Sequence, residues 1–159
     1  MDFVLLLAVA LHTLAFVIAW GYYGILGRIV LPALERTLEP QATTRTLLAV
    51  ERRALPLVLI STVLFLVTGT YLLVVNAEYT RLGDFFANTW STLMLVKHLV
   101  VVVLIVLGIL VDRLIRSADR QADDVGRAAT LGRVRLSAEG ATGLGAVIVL
   151  LTAAAQLST

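Results

Sequence analysis

Four apolar runs, each close to twenty residues long, limit this chain to one kind of solvent. They occupy residues 3–26, 54–75, 90–111 and 137–157, and a helix needs about 20 residues to cross the roughly 30 Å of hydrocarbon in a bilayer. Backbone N–H and C=O groups find no water at that depth. Each run must therefore satisfy its own hydrogen bonds as a helix, even through the β-branched stretch Val100–Val103. A composition that is 59% hydrophobic and 15% charged agrees, since soluble domains carry about 25% charged residues. The expected fold is all-α: an integral membrane four-helix bundle, up-down-up-down, in contact with the lipid bilayer and forming one domain over residues 1–159. The first run is too long for a signal-peptide core and has no basic leader, so it is read as a retained span.

Arginine placement gives the orientation. Arg28, Arg36, Arg45, Arg52 and Arg53 lie between the first and second runs, and Arg113, Arg116, Arg120, Arg127, Arg133 and Arg135 between the third and fourth. Basic residues stay on the cytoplasmic side, so both connections are expected inside. The connection Asn76–Thr89, with Arg81 beside Glu78 and Asp84, and the amino-terminal Asp2 are expected outside. Both termini then lie outside, in what is expected to be the inner membrane of a bacterium or archaeon. The first inner connection, Gly27–Arg53, is predicted to extend the first helix, break near Pro32 and end in an amphipathic turn at Glu51-Arg52-Arg53, with Arg28 available to Glu51. The second, Asp112–Leu136, alternates arginine and aspartate at helical spacing and is predicted to be a solvated surface segment.

Several chemistries have no candidates. The chain has no cysteine, which excludes disulfides, thiolate metal sites, iron–sulfur clusters and covalently attached haem. A net charge of +2 without a basic stripe gives no support for a nucleic-acid partner. No nucleophile-and-base arrangement, Walker-type loop or carboxylate pair at membrane depth is present, so any chemistry belongs to a cofactor.

Three polar side chains interrupt the apolar runs: His12 in the first, Lys97 and His98 in the third. Ionisable groups inside a bilayer are costly, and function is their default explanation. Counting inward at 1.5 Å per residue puts His12 about 15 Å and His98 about 12 Å from the outer ends of their spans, at one level. The first and third helices of an up-down-up-down bundle face each other diagonally, so two inward imidazoles could address one planar cofactor, as in a bis-histidine haem. Small residues Ala8, Ala15 and Ala19, with Gly69 between Thr68 and Thr70, leave room for a flat ring, although close helix packing explains them equally well. An interhelical hydrogen bond is the plainer role for each histidine. Lys97 and His98 diverge by about 100° and cannot share a direction; Lys97 either snorkels outward or faces an anionic group such as a haem propionate. Met94 and His98, at i and i+4, share a face and with His12 make a soft, copper-suited set, while core packing accounts for Met94 taken alone. Trp20, Tyr22, Tyr23 and Trp90 are expected in the interfacial aromatic belts.

The stretches Leu11-His12-Thr13 and Ala19-Trp20-Gly21, Glu51-Arg52-Arg53 with Thr68-Gly69, and Leu95-Val96-Lys97 resemble the four-helix membrane group that includes the copper-resistance D (CopD) family and the haem-containing protoporphyrinogen oxidase HemJ. The likeness runs from about Leu5 to Arg113. For HemJ-like members it implies a membrane b-type haem, with His12 matching the first-span histidine and Lys97 the third-span lysine; His98 is an addition to that pattern. For CopD-like members it implies copper handling, which the scarcity of methionine and the lack of cysteine weaken.

On these grounds the chain is expected to be a small membrane protein holding haem b, with an electron-transfer or redox role, His12 and His98 as axial ligands and Lys97 near a propionate. The alternatives are copper transport or handling through the metal donors His12, His98 and Met94, and a structural subunit of a larger membrane complex without a cofactor of its own.

Overall fold

A computed structural model describes residues 3–75, 86 and 89–157. The amino-terminal Asp2 and most of the connection read as Asn76–Thr89, including Arg81, Glu78 and Asp84, lie outside the described residues. Four helical rods long and apolar enough to cross a membrane make up the chain, and among the described residues there is no strand. The protein is a four-helix membrane bundle.

The first rod consists of α1 (Phe3–Ile25), a π-helical turn (Leu26–Val30) and α2 (Leu31–Thr37). The break expected near Pro32 does not occur. Proline has no N–H to give, and in a regular α-helix its ring presses on the carbonyl four residues back. Here the helix widens just before it: Leu31 N–H bonds the Leu26 carbonyl, five residues back, and Pro32 sits in the first turn of α2. The rod then ends at Leu38–Glu39, where the Thr43 hydroxyl donates to the carbonyls of Leu34 and Leu38, and α3 (Pro40–Val74) starts at once.

The segment Asp112–Leu136, predicted to be solvated, is for the most part helix. The third rod, α4, runs Thr89–Asp119 and the fourth, α5, runs Asp124–Gln156. The turn between them is capped by Asp123, whose side chain accepts from Gly126 N–H at 3.1 Å. Arg127 is buried, bonded to Asp124 and to the Gln121 carbonyl. Charge alone suggested a wet face. The residues that decide the matter are Arg127, Leu131, Val134, Ala138, Ala141, Gly145 and Ile148, all buried, which step by four and three and so form one continuous seam.

Packing differs between the two halves of the bundle. Leu26, Leu31, Leu47, Val111, Ile115, Ala118, Leu131, Val134 and Ala138 form one core at the arginine-rich end, mostly beyond the apolar runs. Where helices leave lipid, burying leucine and valine against each other removes them from water and is favourable. Within the lipid layer a tail is as apolar as leucine, and helices are drawn together by close packing of small residues and by interhelical hydrogen bonds; there Ala8 and Ala15 of α1 are buried. α1 packs on α3 and on α5, and α4 packs on α5, whereas α3 and α4 touch sparingly. The first and third spans are thus diagonal, and the α3–α4 seam is open.

Candidate functional site

α1 carries three large polar rings that point inward, and glycines receive them. His12 lies against Gly69 of α3, Tyr23 against Gly108 of α4, and Trp20 against Gly145 of α5. Trp20 Nε1 donates to the Thr142 carbonyl at 2.8 Å. The rings of Trp20 and Tyr23, expected in an interfacial belt, thus face neighbouring helices of the bundle. The indole N–H finds a carbonyl inside the bundle that lipid could not offer, and isolated glycines in helical runs were the signal for close approach.

The environment of His12 fixes its chemistry. Its Nδ1 lies 3.0 Å from the Phe65 carbonyl and 3.1 Å from Thr68 Oγ1. The Thr68 hydroxyl itself donates to the Leu64 carbonyl at 2.6 Å, so both groups facing Nδ1 are acceptors. Nδ1 must carry the proton, which leaves Nε2 with its lone pair. The ring also stacks on Phe65, with centroids 4.2 Å apart and planes inclined by 18°. A histidine held at one nitrogen by backbone and hydroxyl, with the other nitrogen basic, has the orientation that metal-ligating histidines require. Phe65, Thr68 and Gly69 fall on one face of α3; Phe65 was not singled out in the sequence, where it reads as one more apolar residue of the span.

A cavity of about 380 Å³ opens beside this ring, and His12, Met94, Lys97 and His98 all line it, with Gly69, Thr152 and Gln156. A second cavity of about 280 Å³ also adjoins His12 and Lys97, towards α5. Lys97 is partly buried and borders both spaces, while His98 borders only the first and is exposed. His98 Nδ1 donates to the Met94 carbonyl one turn back at 2.6 Å, so its Nε2 is the nitrogen available to a ligand. Among the described residues lining either cavity none is acidic, and none anywhere gather as three or more of His, Cys, Asp and Glu around a metal position. The donor set is two imidazoles, a thioether and an amine.

Arg28 is exposed, and the pairing with Glu51 is not among the ion pairs of the described residues. Glu51 is buried instead beside Asp112 of α4, and Asp112 pairs with Arg116 at 2.6 Å.

The family described as copper resistance protein D matches residues 48–155, which takes in α3 from Leu48 onward, α4, and α5 up to Ala155; α1, with His12, lies outside the match. No curated protein and no solved structure matches the chain significantly. The match names copper and says nothing of haem b or electron transport.

Proposed function

The chain belongs to the copper resistance protein D family, and from that premise we propose that it handles copper within the membrane, with Cu(I) as cargo and His12 as the residue that receives it. The observation carrying this reading is the single cavity lined by a tautomer-fixed His12, Met94 and His98. Neutral imidazole and thioether are the soft donors that Cu(I) favours over oxygen. Lys97 beside them opposes retention of a cation, which suits a site that passes its ion on, since transfer requires binding weak enough to be left. The test is anaerobic loading of the purified protein with Cu(I) against a chromophoric chelator. One copper per chain is expected, lost on His12→Ala and weakened on Met94→Leu. No stoichiometric uptake, or equal uptake by His12→Ala, overturns the reading.

One observation favours haem b as a second reading. The larger cavity beside His12 is of the size that small-molecule ligands occupy, and Lys97 borders both cavities with no acid among the described residues that line them, as a propionate would need. His12 and His98 would then be the axial ligands, and bound haem would supply one-electron chemistry. A Soret band in the purified protein, abolished by His12→Ala and accompanied by no copper uptake, would select this reading instead. A colourless, copper-free chain that purifies only with other membrane subunits would point to the structural role.

A further inference from the structure

Across Phe65 from His12 lies a further space that none of His12, Met94, Lys97 and His98 lines. It is a slot of about 250 Å³ at the sparse α3–α4 seam, backed by α1. It extends from Phe65 to Leu55 along α3 and from Val101 to Asp112 along α4, about 15 Å at 1.5 Å per residue. Leu59 and Ile109 at its rim are 55% and 50% exposed, so the slot opens sideways, to lipid.

Two features of its lining are not what a lipid tail needs. Four of the fifteen lining residues are aromatic, in a chain that is 7% aromatic, and three of them, Trp20, Phe16 and Phe65, form a chain of ring contacts with centroids 5.5 and 5.6 Å apart. The slot also ends in polar groups. The Tyr23 hydroxyl lies over Gly108, and Asp112 follows one turn later, held by Arg116. A saturated chain makes no use of ring faces beyond plain contact and offers no polar partner to the Tyr23 phenol or to the Asp112 carboxylate, which Arg116 and Glu51 already engage within the protein. A flat ring bearing oxygens, carried on an apolar tail, answers both features: its face meets the aromatic wall, its hydroxyl donates to Asp112, its carbonyl accepts from Tyr23, and its tail leaves between Leu59 and Ile109.

We propose that this lateral slot binds a lipid-soluble quinol or quinone, independently of whatever His12 holds. The chain has two tryptophans, and Trp90→Phe leaves Trp20, which lines the slot, as the only one. Quinones quench indole fluorescence, so decyl-ubiquinone titrated into the Trp90→Phe protein in nanodiscs reports occupancy directly. Saturable quenching is expected, with the half-saturation concentration raised about tenfold or more by Ile105→Phe, which fills the slot. Asp112→Asn, which keeps its shape, should weaken decyl-ubiquinol, read as its power to displace the quenching quinone, more than it weakens the quinone itself, because only the quinol has a hydroxyl to donate; this variant carries the test if Ile105→Phe fails to fold. Linear quenching that never saturates, quenching unchanged in both variants, or quenching relieved by a saturated phospholipid as readily as by a competing quinone would each overturn the proposal.

Discussion

Adding one methyl group at Gly69 should separate the copper site from the fold that carries it. An alanine Cβ at this position would stand 2.9 Å from His12 Cε1 and 3.4 Å from Nδ1. Carbon atoms in ordinary contact need about 3.5 Å, so the imidazole must retreat by roughly 0.6 Å. Its Nδ1 now sits 3.0 Å from the Phe65 carbonyl and 3.1 Å from Thr68 Oγ1; a shift of that size away from α3 takes both bonds beyond good geometry. The loss costs about 0.5–1.5 kcal/mol of stability. Replacing glycine by alanine inside a helix returns up to about 1 kcal/mol, so Gly69→Ala should melt within about 1 kcal/mol of the parent. Metal affinity has no such offset. Loss of a partner that orients a ligating histidine weakens binding about 10–100-fold, and chelator competition for Cu(I), run beside thermal unfolding in the same detergent, measures both quantities. A folded Gly69→Ala protein that holds Cu(I) within twofold of the parent would refute the claim that α3 aims His12 at the metal.

Thr68→Val keeps shape at a buried position but removes one of the two acceptors facing Nδ1; Cu(I) affinity should fall about tenfold by the same competition, less than for Gly69→Ala. Leu131→Ala, in the core at the arginine-rich end, should cost about 2–5 kcal/mol, whereas Leu150→Ala, on a side chain 69% exposed towards lipid, should cost under about 1 kcal/mol because lipid replaces the lost contact; unfolding in mixed detergent compares them. Arg127→Ala removes the bond to the Gln121 carbonyl that closes the α4–α5 turn and should cost about 1–3 kcal/mol, with Cu(I) affinity unchanged.

The spans were readable because lipid demands length and apolarity, and arginine positions mark where they end. His12, Lys97 and His98 were readable as exceptions to that demand, and Met94 by its i, i+4 spacing to His98. Helix rotation was not, for a physical reason: in lipid the core face and the outer face are both apolar, so periodicity carries little information about which residues meet. Hence Trp20 and Tyr23 looked like belt residues until Gly145 and Gly108 were seen to receive them, and Phe65 was indistinguishable from its leucine neighbours. Outside the lipid, the information was present but masked. The four-and-three step from Arg127 to Ile148 was in the sequence, yet the arginines around it suggested a wet segment, because i, i+4 pairs such as Arg135–Glu139 decorate a helix without revealing what its other face buries.

The uneven packing has a functional consequence. Water at the arginine-rich end drives Leu26, Leu47, Ile115 and Leu131 into one core, and this clamps four rods at fixed positions. With their ends held, the rods need not close on one another inside the bilayer, where no hydrophobic force would draw α3 to α4. Small residues close α1 on α3 and orient His12; nothing comparable closes the α3–α4 seam. Cavities on both sides of Phe65 are therefore the ordinary product of a bundle tied at its wet end, and the chain's scarce polar groups, His12, Lys97 and His98 in one and Tyr23 and Asp112 in the other, stand where that space is left. Chemistry at membrane depth can be sited there without weakening the core that holds the helices together.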